Sequence, residues 1–356
     1  MSPVCSDPPL VSVVTPCHDA EAFVGETIES VLAQTHPTVE HLLVDDASTD
    51  GSWAVIHEYR SRYPDRVRAV RLDRNRGGSH ARNVGAALAR GDFLMFLDAD
   101  DLIGPGTLHH MLEALRDPSA GIAVSRWQRL RRAAGRAWEP APADAPLPDA
   151  DPDAALRGWI EGTVWAPPCA LLWRREAFER TGGWDESLTL NDDGDLAMRA
   201  LAGGTRIARA EGGVFYRWHD AARVSMSQSF LREEKLRSQV RVLDRLSARL
   251  EEQGRLAEFA PSLGLGYQRA AFLGFQNGHV PLARECLRRG EALAGRRMVS
   301  PRAVGRALER ILGLERKERL VQGLARLGVM TSQRRRIARL HELSREGAGV
   351  AAGGSS

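Results

Sequence analysis

The stretch GDFLMFLDADD, residues 91–101, sets five apolar residues, Phe93 to Leu97, directly ahead of three carboxylates, Asp98, Asp100 and Asp101. An unbroken apolar run of this length reads as a strand buried on both faces, the habit of a parallel sheet covered by helices. Ending such a strand in like charges is costly unless a cation sits among them. The plainer alternative is a solvated turn in which one aspartate caps the next helix.

The flanking sequence favours the parallel sheet. LVSVVTP (10–16) is a first apolar run, and AEAFVGETIESVLAQT follows it, with Val24, Ile28, Val31 and Leu32 on one helical face. HLLVDD (41–46) and RVRAVRLD (66–73) are further strands, each trailed by a helical pattern, STDGSWAVIHEYRSR and GGSHARNVGAALAR. PGTLHHMLEALRD then follows the 91–101 stretch. Strands alternating with helices imply a mostly parallel sheet with helices on both faces, an α/β fold of Rossmann-like type. Ligands of such sheets bind beyond the carboxyl ends of the strands. Thr15-Pro16, Asp45-Asp46 and Asp98-Ala99-Asp100 are therefore expected along one edge.

Hard divalent cations such as Mg²⁺ and Mn²⁺ take carboxylate oxygens, and a nucleoside diphosphate supplies more. If the strand continues extended, Asp98 and Asp100 point to one side, while Asp101 points away and is free to cap the next helix. A second acidic cluster, NDDGDLAMRA (191–200), offers two readings. Asn191 or Asp192 caps a helix, or Asp192 or Asp193 serves as a general base for a hydroxyl. Asn75, Arg82 and Asn83 in NRGGSHARNVG (75–85) place polar groups beside Gly77 and Gly78, where the backbone can approach a ligand. Neither GxGxxG nor GxxxxGK[ST] occurs, which removes the main support for dinucleotide or P-loop chemistry. His219 in YRWHD (216–220) is a candidate metal or phosphate ligand, or a structural histidine. Trp165, Trp173 and Trp184 flank the second cluster; each either stacks on a sugar face or packs the core.

Taken together, VSVVTPCHDAEAFVGETIESVLAQT, LLVDDASTDGS, NRGGSHARNVGAALARGDFLMFLDADD and GGWDESLTLNDDGDLAMRAL resemble a family-2 glycosyltransferase of the GT-A fold over residues 9–224. The resemblance implies an inverting enzyme that uses Mn²⁺ or Mg²⁺ and a nucleoside-diphosphate sugar donor. It implies that Pro16, His18 and Asp46 hold the nucleobase, with His18 where many relatives have Tyr and Asp19 in place of Asn. It further implies Asn75 and Arg82 near the nucleotide, Asp98 at the ribose and metal, and Asp100 on the metal. His219 would close over the diphosphate as a further ligand. Asp193 would be the base, supported by Asp192. The acceptor would be a hydroxyl of a glycan, lipid-linked or small molecule. Two other functions share the fold: a sugar nucleotidyltransferase, disfavoured by the missing Gly-rich, Lys-containing loop after the first strand, and an inactive glycan-binding protein, disfavoured by the intact Asp98, Asp100 and Asp193.

The net charge of +3 conceals an asymmetry. From Ser225 onward there are 25 Lys+Arg against 13 Asp+Glu; before it there are 24 against 33. The sequence thus divides into a catalytic domain at 1–224, a basic helical region at 225–346 and a flexible tail at 347–356. Within the basic region, SPRAVGRALERILGLERKERLVQGLARLG (300–328) gathers Val304, Leu308, Ile311 and Leu312 on one face. Such a helix lies on an anionic membrane near a lipid-linked acceptor, or packs on the catalytic domain with its basic face solvated. No nucleic-acid motif appears. The four cysteines, Cys5, Cys17, Cys169 and Cys286, form no CxxC pair and read as reduced thiols. With neither a signal-peptide pattern nor a spanning apolar run, the expected location is the cytoplasm, including the inner face of the membrane. The Pro-, Ala- and Asp-rich stretch at 137–154 is expected as a surface excursion or a partly disordered segment.

Overall fold

The computed structural model describes residues 8–131, 137–141, 146–218, 232–297, 299–300 and 303–326. It contains two compact units, Met1–Ala222 and Arg223–Ser356.

The first unit is built on β1 (Val11–Cys17), β2 (Val39–Asp45), β3 (Val67–Arg71) and β4 (Phe93–Phe96). These run parallel in the order β3-β2-β1-β4. Cys17 lies opposite Asp45, and Asp45 opposite Arg71, so the carboxyl ends share one edge. Strand alternation divides the apolar runs between two faces. On one face Cys17 and Leu43 pack with Val24 and Ile28 of α1 (Val24–Leu32) and with Ile56 of α2 (Ser52–Arg62). On the other, α3 (Gly78–Leu88) lies against Val14 and Val44. That contact depends on Gly85, where a Cβ would stand 2.3 Å from a Val14 methyl. The close approach fixes the height at which Arg82, three residues earlier, meets the sheet edge.

Beyond β4 the sheet becomes mixed. β5 (Leu102–Ile103) and α4 (Thr107–Ala114) precede β6 (Ala120–Arg131) and the short β7 (Glu139–Ala141). β8 (Leu171–Arg174) is antiparallel to both β4 and β6, and β9 (Arg206–Trp218) is parallel to β6 and antiparallel to β5. The described parts of the 137–154 stretch include a strand and the start of a helix. β7 pairs with β6, and α5 (Pro152–Glu161) starts where Asp151 accepts the Ala154 N–H at 2.8 Å with proline at the first turn. α6 (Arg175–Glu179) and α7 (Asp192–Ala202) complete the unit.

In the second unit, α8 (Glu233–Glu252), α9 (Leu256–Gln276) and α10 (Val280–Ala294) bury Leu236, Leu243, Phe259, Leu263, Phe275 and Cys286. Gly264 and Gly290 let α9 and α10 approach closely, since a Cβ on either would fall within 2.8 Å of the other's carbonyl oxygen. The 300–328 sequence breaks at Gly313 into α11 (Ala303–Leu312) and α12 (Leu314–Arg326). Val304 and Ile311 of its expected apolar face are 73% and 77% exposed. No helix among the described residues is long and apolar enough to cross a membrane.

Candidate active site

The carboxyl edge of the parallel strands gathers most of the residues singled out from sequence. Asp46 follows β2, and its two carboxylate oxygens accept the backbone N–H groups of Arg76 and Gly77 at 2.8 and 2.7 Å. Asn75 accepts the same Gly77 N–H at 3.1 Å. Gly77, at φ 91°, takes a left-handed turn open to glycine, and this brings the loop down onto Asp46 before α3 begins. After β1, half-exposed His18 contacts the Asp46 carbonyl oxygen through Nδ1 at 2.9 Å. Asp19 accepts from the Thr49 backbone at 2.7 Å, which draws its pKa below the usual value. His18, Asp46 and Asn75 are thus linked by hydrogen bonds at this edge, and Pro16 stands opposite Val44 near the end of β1.

Asp98, Asp100 and Asp101 each present an oxygen within 4.8 Å of the others. Here the expectation for Asp101 fails. β4 ends at Phe96, and the Asp101 N–H bonds to the Asp98 carbonyl at 3.0 Å, so the chain turns rather than continuing extended. The alternation that would send Asp101 away no longer applies. Asp101 is instead buried, accepting the Arg217 backbone N–H at 2.8 Å and the Cys169 thiol at 3.4 Å. Burial and the neighbouring charges of Asp100 and Asp98 push its pKa well above the carboxylate range. Three converging carboxylates are an all-oxygen donor set that fits a hard divalent cation such as Mg²⁺ or Mn²⁺.

The second cluster meets the first through Arg82. Its guanidinium donates to Asp98 at 2.5 Å and to Asp192 at 3.4 Å, and it lies 4.6 Å from the centre of the Trp184 ring. Asp192 also accepts from the Ser79 hydroxyl at 2.7 Å. Asn191 occupies the N-cap of α7 in a left-handed conformation and makes no side-chain capping bond, and Asp192 reaches back to α3. The cluster thus opens a helix as the capping reading expects, with Asp192, Asp193 and Asp195 in its first turn and Asp193 accepting the Gly194 N–H at 2.8 Å, though no side chain caps it from Asn191.

Asp193 is half-buried and accepts the Trp165 indole N–H at 2.9 Å. Trp165 is held edge-on by Trp127 and Tyr216, with ring centres 5.0 and 5.6 Å away. Desolvation and the like charge of Asp192 raise the Asp193 pKa to about 6, against the lowering effect of the Trp165 bond. Asp195, by contrast, is tied to Arg199 at 2.7 Å. Of the three tryptophans, Trp173 is core, Trp184 carries Arg82 and Trp165 orients Asp193.

His219 lies outside the described residues. Arg217, two positions earlier, escaped the sequence reading. It is buried, donates to the Asp100 carbonyl at 3.0 Å, pairs with Glu26 and lies over Phe23 and Trp138. Ser79 and Cys169 escaped it as well; none of the three belongs to a recognisable pattern.

Comparison with known proteins accords with this geometry. The family model described as glycosyl transferase family 2 matches residues 12–180, a span that includes the first acidic cluster and stops short of Asp192. The teichuronic acid biosynthesis glycosyltransferase TuaG of Bacillus subtilis, a putative assignment by its own description, is 37% identical over 122 residues, 34% of this chain and 48% of that protein. The succinoglycan biosynthesis protein ExoO of Rhizobium meliloti is 40% identical over 123 residues, 34% of each chain. The chain thus spans about half and about a third of these two curated relatives. Among solved structures, residues 1–349 of S. aureus TarS align with a TM-score of 0.61 at 19% identity, over 90% of this chain and 92% of that one. A mannosyltransferase from Pyrobaculum calidifontis aligns at 0.51 and 20% identity, over 95% and 88%. At these identities the structural likeness speaks for the fold.

Proposed function

Since the chain belongs to glycosyl transferase family 2 through residues 12–180, we propose that it moves a sugar from a nucleoside-diphosphate sugar to an acceptor hydroxyl, with inversion at the anomeric carbon. The observation that carries this is the joining of two acidic clusters by one arginine: Arg82 contacts Asp98 on one side and Asp192 on the other. One cluster suits a leaving diphosphate, and the other suits a nucleophile.

Pro16, His18 and Asp46 form the base and ribose end of the donor site, and Asn75 and Arg82 approach the diphosphate. A divalent cation held by Asp98, Asp100 and Asp101 would neutralise the charge that builds on the departing nucleoside diphosphate. Asp193 takes the proton from the acceptor hydroxyl. With a pKa of about 6 it is mostly ionised at neutral pH yet more basic than an ordinary carboxylate. Trp165 fixes its orientation, and Asp192 holds Arg82 while keeping Asp193 basic.

The donor class draws support from neighbours solved with UDP-GlcNAc, with UDP, and with GDP-Man and Mn²⁺. The acceptor class draws support from relatives named for teichuronic acid and succinoglycan biosynthesis, and points to a surface polysaccharide or its lipid-linked precursor. Exposed Val304 and Ile311 beside the arginines of α11 and α12 fit peripheral contact with an anionic membrane at its cytoplasmic face.

The test is release of nucleoside diphosphate from UDP-, GDP- and dTDP-sugars with Mn²⁺ or Mg²⁺. Turnover of one donor by the wild type, lost in Asp193→Asn while donor binding persists, is the expected result. Equal turnover by Asp193→Asn removes that residue from the mechanism.

A further inference from the structure

The helical unit holds a cavity of about 430 Å³ that the transfer chemistry does not use. It is lined by Arg284, Arg296, Arg297, Arg316 and Arg319 against Glu291, Glu309 and Glu315. The charges do not cancel locally. Glu315 is shared by Arg284 at 2.7 Å and Arg319 at 2.5 Å. The Glu309 carboxylate is turned inward, where it accepts the N–H groups of Val299 and Ser300 and the Ser300 hydroxyl. Among the described residues, Arg296 donates to a carbonyl oxygen, that of Glu309, and to no carboxylate. Among the described residues that line the cavity, the exposed Arg296, Arg297 and Arg316 have no carboxylate partner, and Glu291 is a carboxylate with no ion-pair partner.

The backbone of the helix junction lines the same cavity. Gly313, between α11 and α12, has φ 80°, and a Cβ there would stand 3.6 Å from Arg296 Nη2. The first bond within α12 runs from the Lys317 N–H to the Gly313 carbonyl, so the earlier amides of that helix point out at its N-terminus. Leu314, Glu315 and Arg316 line the cavity and place the N-terminus of α12 on it, while Glu309 and Leu312 bring the C-terminus of α11 to the same wall, so the two helix dipoles oppose each other there and the arginines carry the positive field.

We infer that this cavity binds a phosphoryl group. Arginine presents a planar fork of donors matched to phosphate oxygens, where lysine offers a point charge. The site shares no residue with the proposed donor site. A phosphoryl group reaches it either on a soluble phosphate ester or as a phospholipid headgroup, and the recognition chemistry is the same for both.

The test uses the full chain carrying Asp100→Ala, in EDTA, so that binding at the proposed donor site does not contribute. Glycerol 3-phosphate and pyrophosphate are titrated calorimetrically, and sedimentation is measured with phosphatidylcholine vesicles with and without phosphatidylglycerol. The same is done with Arg297→Ala/Arg316→Ala and with Arg297→Lys/Arg316→Lys. Saturable binding of a phosphate ester or of anionic vesicles, weakened at least tenfold by the alanine pair and less by the lysine pair, supports the site. Binding of the esters alone identifies a soluble ligand; binding of anionic vesicles alone identifies a headgroup. No saturable binding, or binding that both pairs leave unchanged, overturns the inference. Unaltered melting of the variants shows that loss is not unfolding, and unaltered donor turnover in the otherwise wild-type chain is expected for a site apart from catalysis.

Discussion

Replacing Asp193 by Asn removes the proposed base while keeping the volume and the ability to accept the Trp165 N–H. General-base catalysis of this kind contributes about 10²–10⁴ in rate, or roughly 3–5 kcal/mol of barrier. A sharper signature lies in the pH profile. With a pKa of about 6, Asp193 is about one-tenth ionised at pH 5 and about nine-tenths at pH 7. Turnover should therefore fall about tenfold between those values, whereas an unshifted aspartate would lose only about 6%. The neighbours move this limb in opposite directions. The Trp165 N–H favours the carboxylate, so Trp165→Phe should raise the pKa and shift the limb to higher pH. Asp192 disfavours it, so Asp192→Asn should shift the limb to lower pH. Steady-state release of nucleoside diphosphate from pH 4.5 to 8 measures all three. A wild-type limb near pH 4, or a limb that moves the same way in both neighbours' variants, would refute the assignment.

Three other outcomes follow from particular contacts. Asp101→Asn removes one of three converging oxygens and should weaken Mn²⁺ binding at least tenfold by titration; unchanged affinity would return Asp101 to a purely structural part. Gly85→Ala forces a methyl against Val14 and should cost about 1–3 kcal/mol in a urea melt of the full chain; a neutral result would mean that α3 shifts freely on the sheet. Glu40, buried in β2, is raised by desolvation but lowered further by Ser12, the Arg90 N–H, Arg68 and the Arg90 side chain, reaching about 2 from 4.5. Its contribution is fully present above pH 4.5 and lost as pH falls toward 2. After solvent screening it is about 1–2 kcal/mol. Glu40→Gln should be less stable at pH 7 and show a flatter acid limb in chemical denaturation; parallel pH profiles would contradict this.

The first four strands were legible because a strand buried on both faces leaves an unbroken apolar run, and because parallel strands bring their carboxyl ends to one edge. Asp46, Asp98 and Asp100 could be placed together on that ground alone. Asp101 was misread because the extended geometry was carried past Phe96 into what is a turn. The order of β5, β6, β8 and β9 was not legible, since pairing between distant strands leaves no local periodicity. The links that build the site are equally distant: Ser79 to Asp192 spans 113 positions, and Arg217 to Asp101 spans 116. Asp192 and Asp193 stood out as charges, and Arg82, paired with both Asp98 and Asp192, brings the two acidic clusters together in space. Trp165 was singled out as a sugar platform or a core residue, and the structure adds a hydrogen bond from its indole N–H to Asp193 that the sequence does not announce.

The most direct measurement is calorimetric titration of the full chain with UDP, GDP and dTDP, with and without Mn²⁺, repeated on Asp100→Ala. The expected result is tight binding of one nucleotide only with Mn²⁺, lost in the variant. Binding that is indifferent to both the metal and Asp100, or no binding of any of the three, would contradict the assignment of the aspartate cluster to a metal-dependent donor site.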